Sequence, residues 1–207
     1  MPRPPFLRLD PDRQAAILSA AMKEFAEHGY RGASTNHIAA TSGVSKGSLF
    51  YYFDGKDDLY LYCYDQSAKA FERELQQHRA EWSRDMLQRL RVMTETGLDI
   101  LIRDPVIFAL QTGFLAPEVA HLRERYMREH GQEAAGEFQY WFGDVERDRL
   151  RHDWATTVRL LMWTYVGIKM ELAYTGPLPD DPVKFKEALM ERLDLVINVL
   201  REALYID

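Results

Sequence analysis

One serine stands in a sequence pattern that some hydrolases use for catalysis. Residues 43–47 read G-V-S-K-G and match G-x-S-x-G, the nucleophile elbow of α/β-hydrolases. That elbow requires a strand before the turn and a helix after it. Because the residues before Gly43 follow a helical pattern, we predict that Ser45 instead caps the helix that follows it.

A metal site is a second chemical possibility. Glu118 and His121 match E-x-x-H, which is part of a di-iron carboxylate motif, but such a site needs a second copy and two further carboxylates. Cys63 is the single cysteine, so an intrachain disulfide and a cysteine-based zinc site are excluded. A packed or half-exposed thiol is favoured over a redox sensor at Cys63. We therefore expect no metal, no cofactor and no covalent chemistry.

Residues 35–56 indicate a different kind of chemistry. They read T-N-H-I-A-A-T-S-G-V-S-K-G-S-L-F-Y-Y-F-D-G-K, which predicts a short helix, a turn that contains glycine and a second short helix. This is the helix-turn-helix pattern, in which the second helix enters the major groove of DNA. A purely structural three-helix unit is the alternative, but it would leave the exposed aromatic residues without a role.

The second of these helices is predicted to have a buried side and an exposed side. At about 100° per residue, Leu49 and Phe53 share the side that faces the core. Gly47, Phe50 and Tyr51 lie on the opposite side. Aromatic rings can contact thymine methyl groups, and a glycine permits the backbone to approach DNA closely.

This region resembles the tetracycline-repressor-like (TetR) transcriptional regulators. The resemblance rests on residues 13–59: I-L-x-A-A-x-x-x-F-x-x-x-G-Y beginning at Ile17, then S-T-N-H-I-A, then S-G-V-S-K-G-S-L-F-Y-Y-F-x-x-K-x-x-L. It implies an all-helical homodimer that binds a palindromic DNA operator and is usually released by a small ligand. One departure is Phe50, where the family commonly has tyrosine, so a hydroxyl contact there would be lost.

The candidate DNA-binding residues follow from the exposed side of the helix and from the resemblance. They are Thr35, Ser45, Lys46, Gly47, Ser48, Phe50, Tyr51, Tyr52 and Lys56. His37 could contact a phosphate or could be a solvated side chain. Arg3 and Arg8 could carry an N-terminal arm into the minor groove, although a disordered tail is favoured.

Composition and charge agree with a DNA-binding segment attached to a larger acidic part. The 207 residues are 46% hydrophobic and carry a net charge of −6, yet residues 1–56 hold seven basic and five acidic side chains. The charge-free run at residues 160–168 is too short to span a bilayer. The N-terminal residues lack the apolar segment of a secretory signal. We therefore expect a cytoplasmic protein with no membrane partner.

Start and stop signals predict an all-α fold. Asp10 begins the first helix and Gly29 ends it. Further helices are expected from Ser34 or Thr35 to about residue 42, and at 46–52, 56–77, 84–103, 105–115, 117–142, 153–174 and 182–204. We divide the chain into a three-helix DNA-binding domain with a helix-turn-helix, residues 1–60, and a helical effector-binding and dimerisation domain, residues 61–207.

Two apolar sets in the second domain are open to interpretation. Large side chains that could line a ligand cavity, or belong to the core, are Met93, Phe108, Phe114, Phe138, Trp141, Trp163 and Met170. A stripe on the last helix could form a two-fold four-helix interface with helix 153–174, or pack within its own subunit; its members are Leu189, Leu193, Val196 and Leu200.

The sequence therefore predicts a DNA-binding transcriptional regulator. The expected partners are a double-stranded DNA operator, a second copy of the chain and a small apolar or amphipathic effector, and the favoured activity is repression that the effector relieves. We do not expect an enzyme. The alternatives are a helical enzyme with an appended DNA-binding unit and a constitutive DNA-binding protein without an effector.

Overall fold

Helices account for nearly all of the regular structure. A computed structural model describes the backbone of residues 1–174 and 181–206, and their side chains except for 131–139, 169, 170 and 172–174. The helices in these ranges are α1 Pro4–Leu7, α2 Pro11–Gly32, α3 Thr35–Thr41, α4 Lys46–Tyr52, α5 Lys56–Gln77, α6 Met86–Arg103, α7 Pro105–Gly113, α8 Ala120–Phe142, α9 Trp154–Tyr174 and α10 Pro182–Leu204, with 3-10 turns at Arg79–Glu81 and Pro117–Val119. Across the same ranges the only β-type pairing is an isolated bridge between Leu150 and Tyr205. The predicted all-α fold is confirmed.

The chain folds as two compact units. Unit 1 consists of Met1–Glu72 and Asp104–Glu129, and unit 2 of Arg73–Arg103 and His130–Asp207. Unit 1 extends beyond residue 60 because α7 packs against α2. The functional division into residues 1–60 and 61–207 stays a prediction.

Local hydrogen bonds explain where the first helices begin and end. The carboxylate of Asp10 accepts a hydrogen bond from the Asp12 N–H at the start of α2, at 2.9 Å. The hydroxyl of Ser34 accepts one from the His37 N–H at the start of α3. Gly29 has φ of 64° and interrupts α2, because glycine adopts this left-handed region without a steric penalty. The predicted stop at Gly29 is therefore found as a kink, after which one further turn follows.

Unit 1 is built around a continuous apolar core. Ile17 of α2, Ile38 of α3 and Leu49 of α4 are at most 1% exposed. Removing such a side chain, as in Ile17→Ala, costs about 2–5 kcal/mol of stability. Cys63 of α5 is fully buried in the same core, and burial raises the pKa of its thiol. Of the packed or half-exposed thiol predicted at Cys63, the structure contains the packed one.

The residues before α2 are folded against unit 1, so the disordered tail favoured from the sequence is wrong. Phe6 of α1 is fully buried. Its ring lies 4.9 Å from that of Phe53 and 5.5 Å from that of Tyr62, measured between centroids. Aromatic contacts of this kind stabilise a segment far too short to be helical alone.

In unit 2, α10 packs against both α6 and α9. Leu189 and Leu193 of α10 are 3% and 1% exposed. This placement corrects their prediction as dimer contacts, because both are covered by their own chain. Val196 and Leu200 are partly exposed. No described helix has the length and apolar composition that crossing a membrane would require.

Candidate nucleic-acid interface

Helices α3 and α4 are joined by a tight turn. Gly43 has φ of 68°, a conformation that favours glycine. The N–H of Val44 donates to the carbonyl of Ala39 at 3.0 Å. A guanidinium nitrogen of Arg13 donates to the carbonyl of Gly43 at 2.6 Å. The turn is therefore held from both sides, and the two helices form the predicted helix-turn-helix.

Ser45 caps α4, as predicted. Its hydroxyl oxygen accepts a hydrogen bond from the Ser48 N–H at 3.0 Å and lies 2.8 Å from the Ser48 hydroxyl. The element before the turn is helix α3. The nucleophile elbow requires a strand at that point. The G-x-S-x-G match is therefore a helix cap and not a nucleophile elbow.

The predicted division of α4 into a buried and an exposed side is confirmed. Leu49 and Phe53 are each 1% exposed, whereas Phe50 and Tyr51 are 38% and 61% exposed. Two large aromatic side chains exposed next to each other on so short a helix indicate a binding surface. We name the surface formed by Lys46, Gly47, Phe50 and Tyr51 the α4 face.

Glycine at position 47 is not required by the fold. A Cβ atom built on Gly47 would meet nothing closer than the hydroxyl oxygen of Ser45, at 3.8 Å, and its φ is not positive. An alanine would thus fit inside the chain and would favour the helix. The open space at Gly47 lies on the α4 face and is available to a binding partner.

The two candidate lysines have different surroundings. The ammonium group of Lys46 lies 5.9 Å from the centre of the Phe50 ring, so it adds positive charge beside the aromatic surface. The ammonium group of Lys56 donates to the carbonyl of Arg31 at 3.0 Å and lies 5.1 Å from the Tyr30 ring. Lys56 therefore also ties the start of α5 to the end of α2. Of the remaining candidates, Thr35 and Tyr52 are partly buried.

Residues 17–63 match the family model for bacterial regulatory proteins of the tetR family. The matched stretch contains α3, the turn and α4. Residues 17–63 of this chain are therefore similar to bacterial regulatory proteins of the tetR family. The α4 face lies on the second helix of the helix-turn-helix within this stretch.

Individual relatives match over different lengths. The chain is 37% identical over 92 residues to the HTH-type transcriptional repressor AcnR of Corynebacterium diphtheriae, which is 44% of this chain but only 39% of AcnR. The multidrug binding protein EbrR, solved with imidazole, is 25% identical with a TM-score of 0.60 and covers 88% of this chain and 96% of its own. The regulator FadR of Bacillus subtilis, solved with stearoyl-CoA, is 21% identical with a TM-score of 0.58, over 86% and 96% of the two chains.

The structure distributes the candidate ligand residues over both units. Phe108 and Phe114 belong to unit 1, where Phe114 stacks on Tyr64 at 3.6 Å between ring centres. Met93, Trp141 and Trp163 belong to unit 2. Trp141 is 9% exposed and packs against Trp82 at 5.1 Å. The side chains of Phe138 and Met170 lie outside the described residues.

Trp163 is not enclosed by its own chain. It is 69% exposed, and its neighbours Met162 and Val166 on α9 are 37% and 44% exposed. On α10, Leu195 and Val199 are 68% and 63% exposed. These five residues form what we name the α9–α10 apolar surface. It shares no residue with the predicted stripe, of which Leu189 and Leu193 are already buried in the single chain.

A buried carboxylate beside the helix-turn-helix was not anticipated from the sequence. Glu24 is 4% exposed, and its Oε1 accepts a hydrogen bond from the Ser34 N–H at 2.7 Å. Its Oε2 lies 2.5 Å from Nδ1 of His37 and 3.9 Å from Nε2 of His28. His37 is therefore bound to Glu24, although it is still 63% exposed. Glu24 joins α2 to the start of α3.

The E-x-x-H residues also have structural partners. Glu118 forms an ion pair with Arg31 at 3.5 Å. The ring of His121 packs 6.2 Å from that of Tyr30. Within the described part of the chain, no three potential metal ligands lie together.

Proposed function

We propose that this chain is a sequence-specific DNA-binding transcriptional regulator, and that it acts as a repressor. The observation that carries the proposal is the α4 face, which exposes Phe50 and Tyr51 beside Lys46. A helix of this kind can read base edges and thymine methyl groups while basic side chains bind phosphates. AcnR, which is similar to this chain over 92 residues, is described as a repressor.

The proposal includes a homodimer. The α9–α10 apolar surface combines five large exposed side chains on neighbouring helices of unit 2. Exposed large apolar side chains that form a continuous patch commonly mark a protein–protein interface. A two-fold dimer would present two α4 faces to two half-sites of a palindromic operator.

Release by a small apolar or amphipathic effector completes the proposed function. EbrR is described as a multidrug binding protein, and the FadR structure contains stearoyl-CoA. Both share this fold. By linkage, an effector that weakens operator binding must itself bind less tightly to the operator complex, typically by 1–3 kcal/mol.

Two other functions are less well supported. A helical enzyme would need a catalytic group, and the nucleophile-elbow and E-x-x-H matches both have structural partners in this fold. A constitutive DNA-binding protein would share the α4 face but would not respond to any ligand. An effector screen separates the latter from the repressor.

The experiment that tests DNA recognition is selection of bound duplexes from a random-sequence library by the full-length chain. The proposed function predicts enrichment of one palindromic sequence, and loss of that enrichment in Tyr51→Ala. A matched control is Tyr140→Ala, because Tyr140 of α8 is also exposed, at 44%, but lies far along the chain from the α4 face. Selection of no common sequence by the unmodified chain would refute the proposal.

A further inference from the structure

The segment before α2 contacts the end of helix α4 as well as helix α5. Phe6 contacts the ring of Tyr52, the last residue of α4, at 6.1 Å between centroids. It also contacts Phe53, the residue that ends α4. The same ring packs on Tyr62 of α5. The buried ring of Phe6 therefore packs between the end of α4 and helix α5.

Arg3 adds polar contacts at the same end of α4. Its backbone N–H donates to the carbonyl of Tyr52 at 2.8 Å. Its guanidinium donates to the carbonyl of Phe50 at 3.4 Å and pairs with Asp54 at 2.8 Å. The last carbonyls of a helix have no partner within that helix. Arg3 therefore supplies, from outside, hydrogen bonds that hold the C-terminal turn of α4.

These contacts matter because α4 is short. It has seven residues, and the two aromatic side chains of its exposed side, Phe50 and Tyr51, lie in its last turn. Short helices fray at their ends unless tertiary contacts fix them. The contacts of Phe6 and Arg3 are made within the same turn that carries these two rings.

We propose that residues 3–7, which we name the N-terminal brace, position the α4 face for DNA, with Phe6 and Arg3 as positioning residues. This inference rests on the proposed function, since it concerns how that DNA-binding surface is held. In this proposal the brace acts through α4, since the Arg3 guanidinium pairs with Asp54 and donates to the Phe50 carbonyl.

The alternative role for Arg3 is a phosphate contact, and salt dependence separates the two. Loss of one phosphate contact weakens binding to every duplex and lowers the slope of log K against log salt by about 0.9. Loss of a positioning contact lowers affinity for the selected operator and leaves the slope unchanged. Arg8 is the matched control, because it is an exposed arginine of the same segment.

The test measures binding of full-length Arg3→Ala, Arg3→Lys and Arg8→Ala to the selected operator and to an unrelated duplex, over a range of salt concentrations. We expect Arg3→Ala to weaken operator binding about 3- to 10-fold, with an unchanged slope and unchanged binding to the unrelated duplex. Arg3→Lys keeps a donor and should retain most of the affinity. Arg8→Ala should match the unmodified chain.

A double variant distinguishes positioning of Tyr51 from a general loss of stability, because only positioning couples the effects of Arg3 and Tyr51 on operator affinity. If Arg3 acts by positioning Tyr51, then Arg3→Ala should cost less operator affinity in a Tyr51→Ala background than in the unmodified chain. Phe6→Ala and Phe6→Leu extend the series, with thermal unfolding measured for each. Phe6→Leu keeps an apolar side chain and should fold, so it tests the packing contact even if Phe6→Ala does not fold.

Three results would contradict the proposed positioning role of the brace. The first is unchanged operator binding in Arg3→Ala, and the second is a parallel loss of affinity with a lower salt slope in both Arg3→Ala and Arg8→Ala. The third is that the losses of operator affinity in Arg3→Ala and Tyr51→Ala are fully additive. Each is distinct from failure of the proposed function, in which the unmodified chain itself would select no operator.

Discussion

Nδ1 of His37 lies 2.5 Å from Oε2 of Glu24, and this contact joins an exposed imidazole on α3 to a buried carboxylate on α2. The same carboxylate accepts the N–H of Ser34, the residue that caps α3. A buried carboxylate is tolerated only when its oxygens are paired in this way. Glu24 is therefore a structural link between the two helices, at the entrance of the helix-turn-helix.

Glu24→Gln should destabilise the chain near neutral pH by about 1–3 kcal/mol, because charged hydrogen bonds to the Ser34 N–H and to His37 are lost. Burial alone would raise the pKa of Glu24, but hydrogen bonds from Ser34 and His37, with the charges of His37 and His28, lower it below its ordinary value of 4.5. A carboxylate with a lowered pKa stabilises the folded state above its unfolded pKa, and that contribution is lost as the pH falls through the folded value.

The measurement is urea unfolding of the unmodified chain and of Glu24→Gln at pH 7 and at several values below pH 4.5. The difference in unfolding free energy should be largest at pH 7 and should shrink in acid. Glu27→Gln is the control, since its carboxylate is 68% exposed on the same helix. A Glu24→Gln difference that does not vary with pH would contradict the role of the carboxylate charge.

Gly47→Ala should separate folding from DNA binding. The added methyl group fits within the chain and replaces glycine in a helix, so stability should be unchanged or raised by up to about 1 kcal/mol. Operator affinity should nevertheless fall, because the methyl group occupies the α4 face. Thermal unfolding and operator titration test the two parts.

Gly32→Ala is the control, because its Cβ would meet only the Cβ of His28, at 3.4 Å. Equal operator affinity in both variants would show that DNA does not approach Gly47.

Tyr51→Ala and Lys46→Ala should weaken DNA binding in different ways. Tyr51 is 61% exposed, so its loss should leave folding intact and cost about 1–3 kcal/mol of specific binding if the ring reads a base. Lys46→Ala should weaken all duplexes alike and lower the salt slope by about one. Titrations at several salt concentrations measure both quantities. Lys56→Ala would not separate a lost DNA contact from a loss of stability, because Lys56 also donates to the Arg31 carbonyl. A lower slope in Tyr51→Ala would reverse the assigned roles.

The parts of this structure that sequence reasoning predicted are those set by neighbours in the chain. Caps such as Ser34 and Ser45 act within three residues, so the starts of α3 and α4 were predictable. The exposed side of α4 followed from helical periodicity alone. For the candidate site, this covers the helix-turn-helix and the orientation of Phe50 and Tyr51.

What sequence reasoning missed depends on partners distant in the chain. Phe6 orders α1 by packing on Tyr62, 56 residues further on. Glu24 occupies a buried position because the Ser34 N–H reaches it. In α10, periodicity finds apolar residues on two sides and cannot tell which side its own chain covers. Periodicity therefore predicts the stripe that contains Leu189, whereas Leu195 is the exposed residue.

Leu195→Glu should convert the proposed dimer into a monomer. Leu195 is 68% exposed in the single chain, so the substitution should leave unfolding of the chain nearly unchanged. Burial of a leucine side chain contributes about 1.5–3 kcal/mol, and a two-fold interface contains each residue twice. The dimer dissociation constant should therefore rise by at least about 100-fold.

Sedimentation at micromolar concentration measures the change. Met127→Glu is the control, because Met127 is an apolar side chain 54% exposed in unit 1. Since a palindromic operator is read by two recognition helices, the monomer should also lose operator affinity while keeping weak binding to unrelated DNA. A Leu195→Glu protein that sediments as a dimer and binds the operator normally would remove the α9–α10 apolar surface from the proposed assembly.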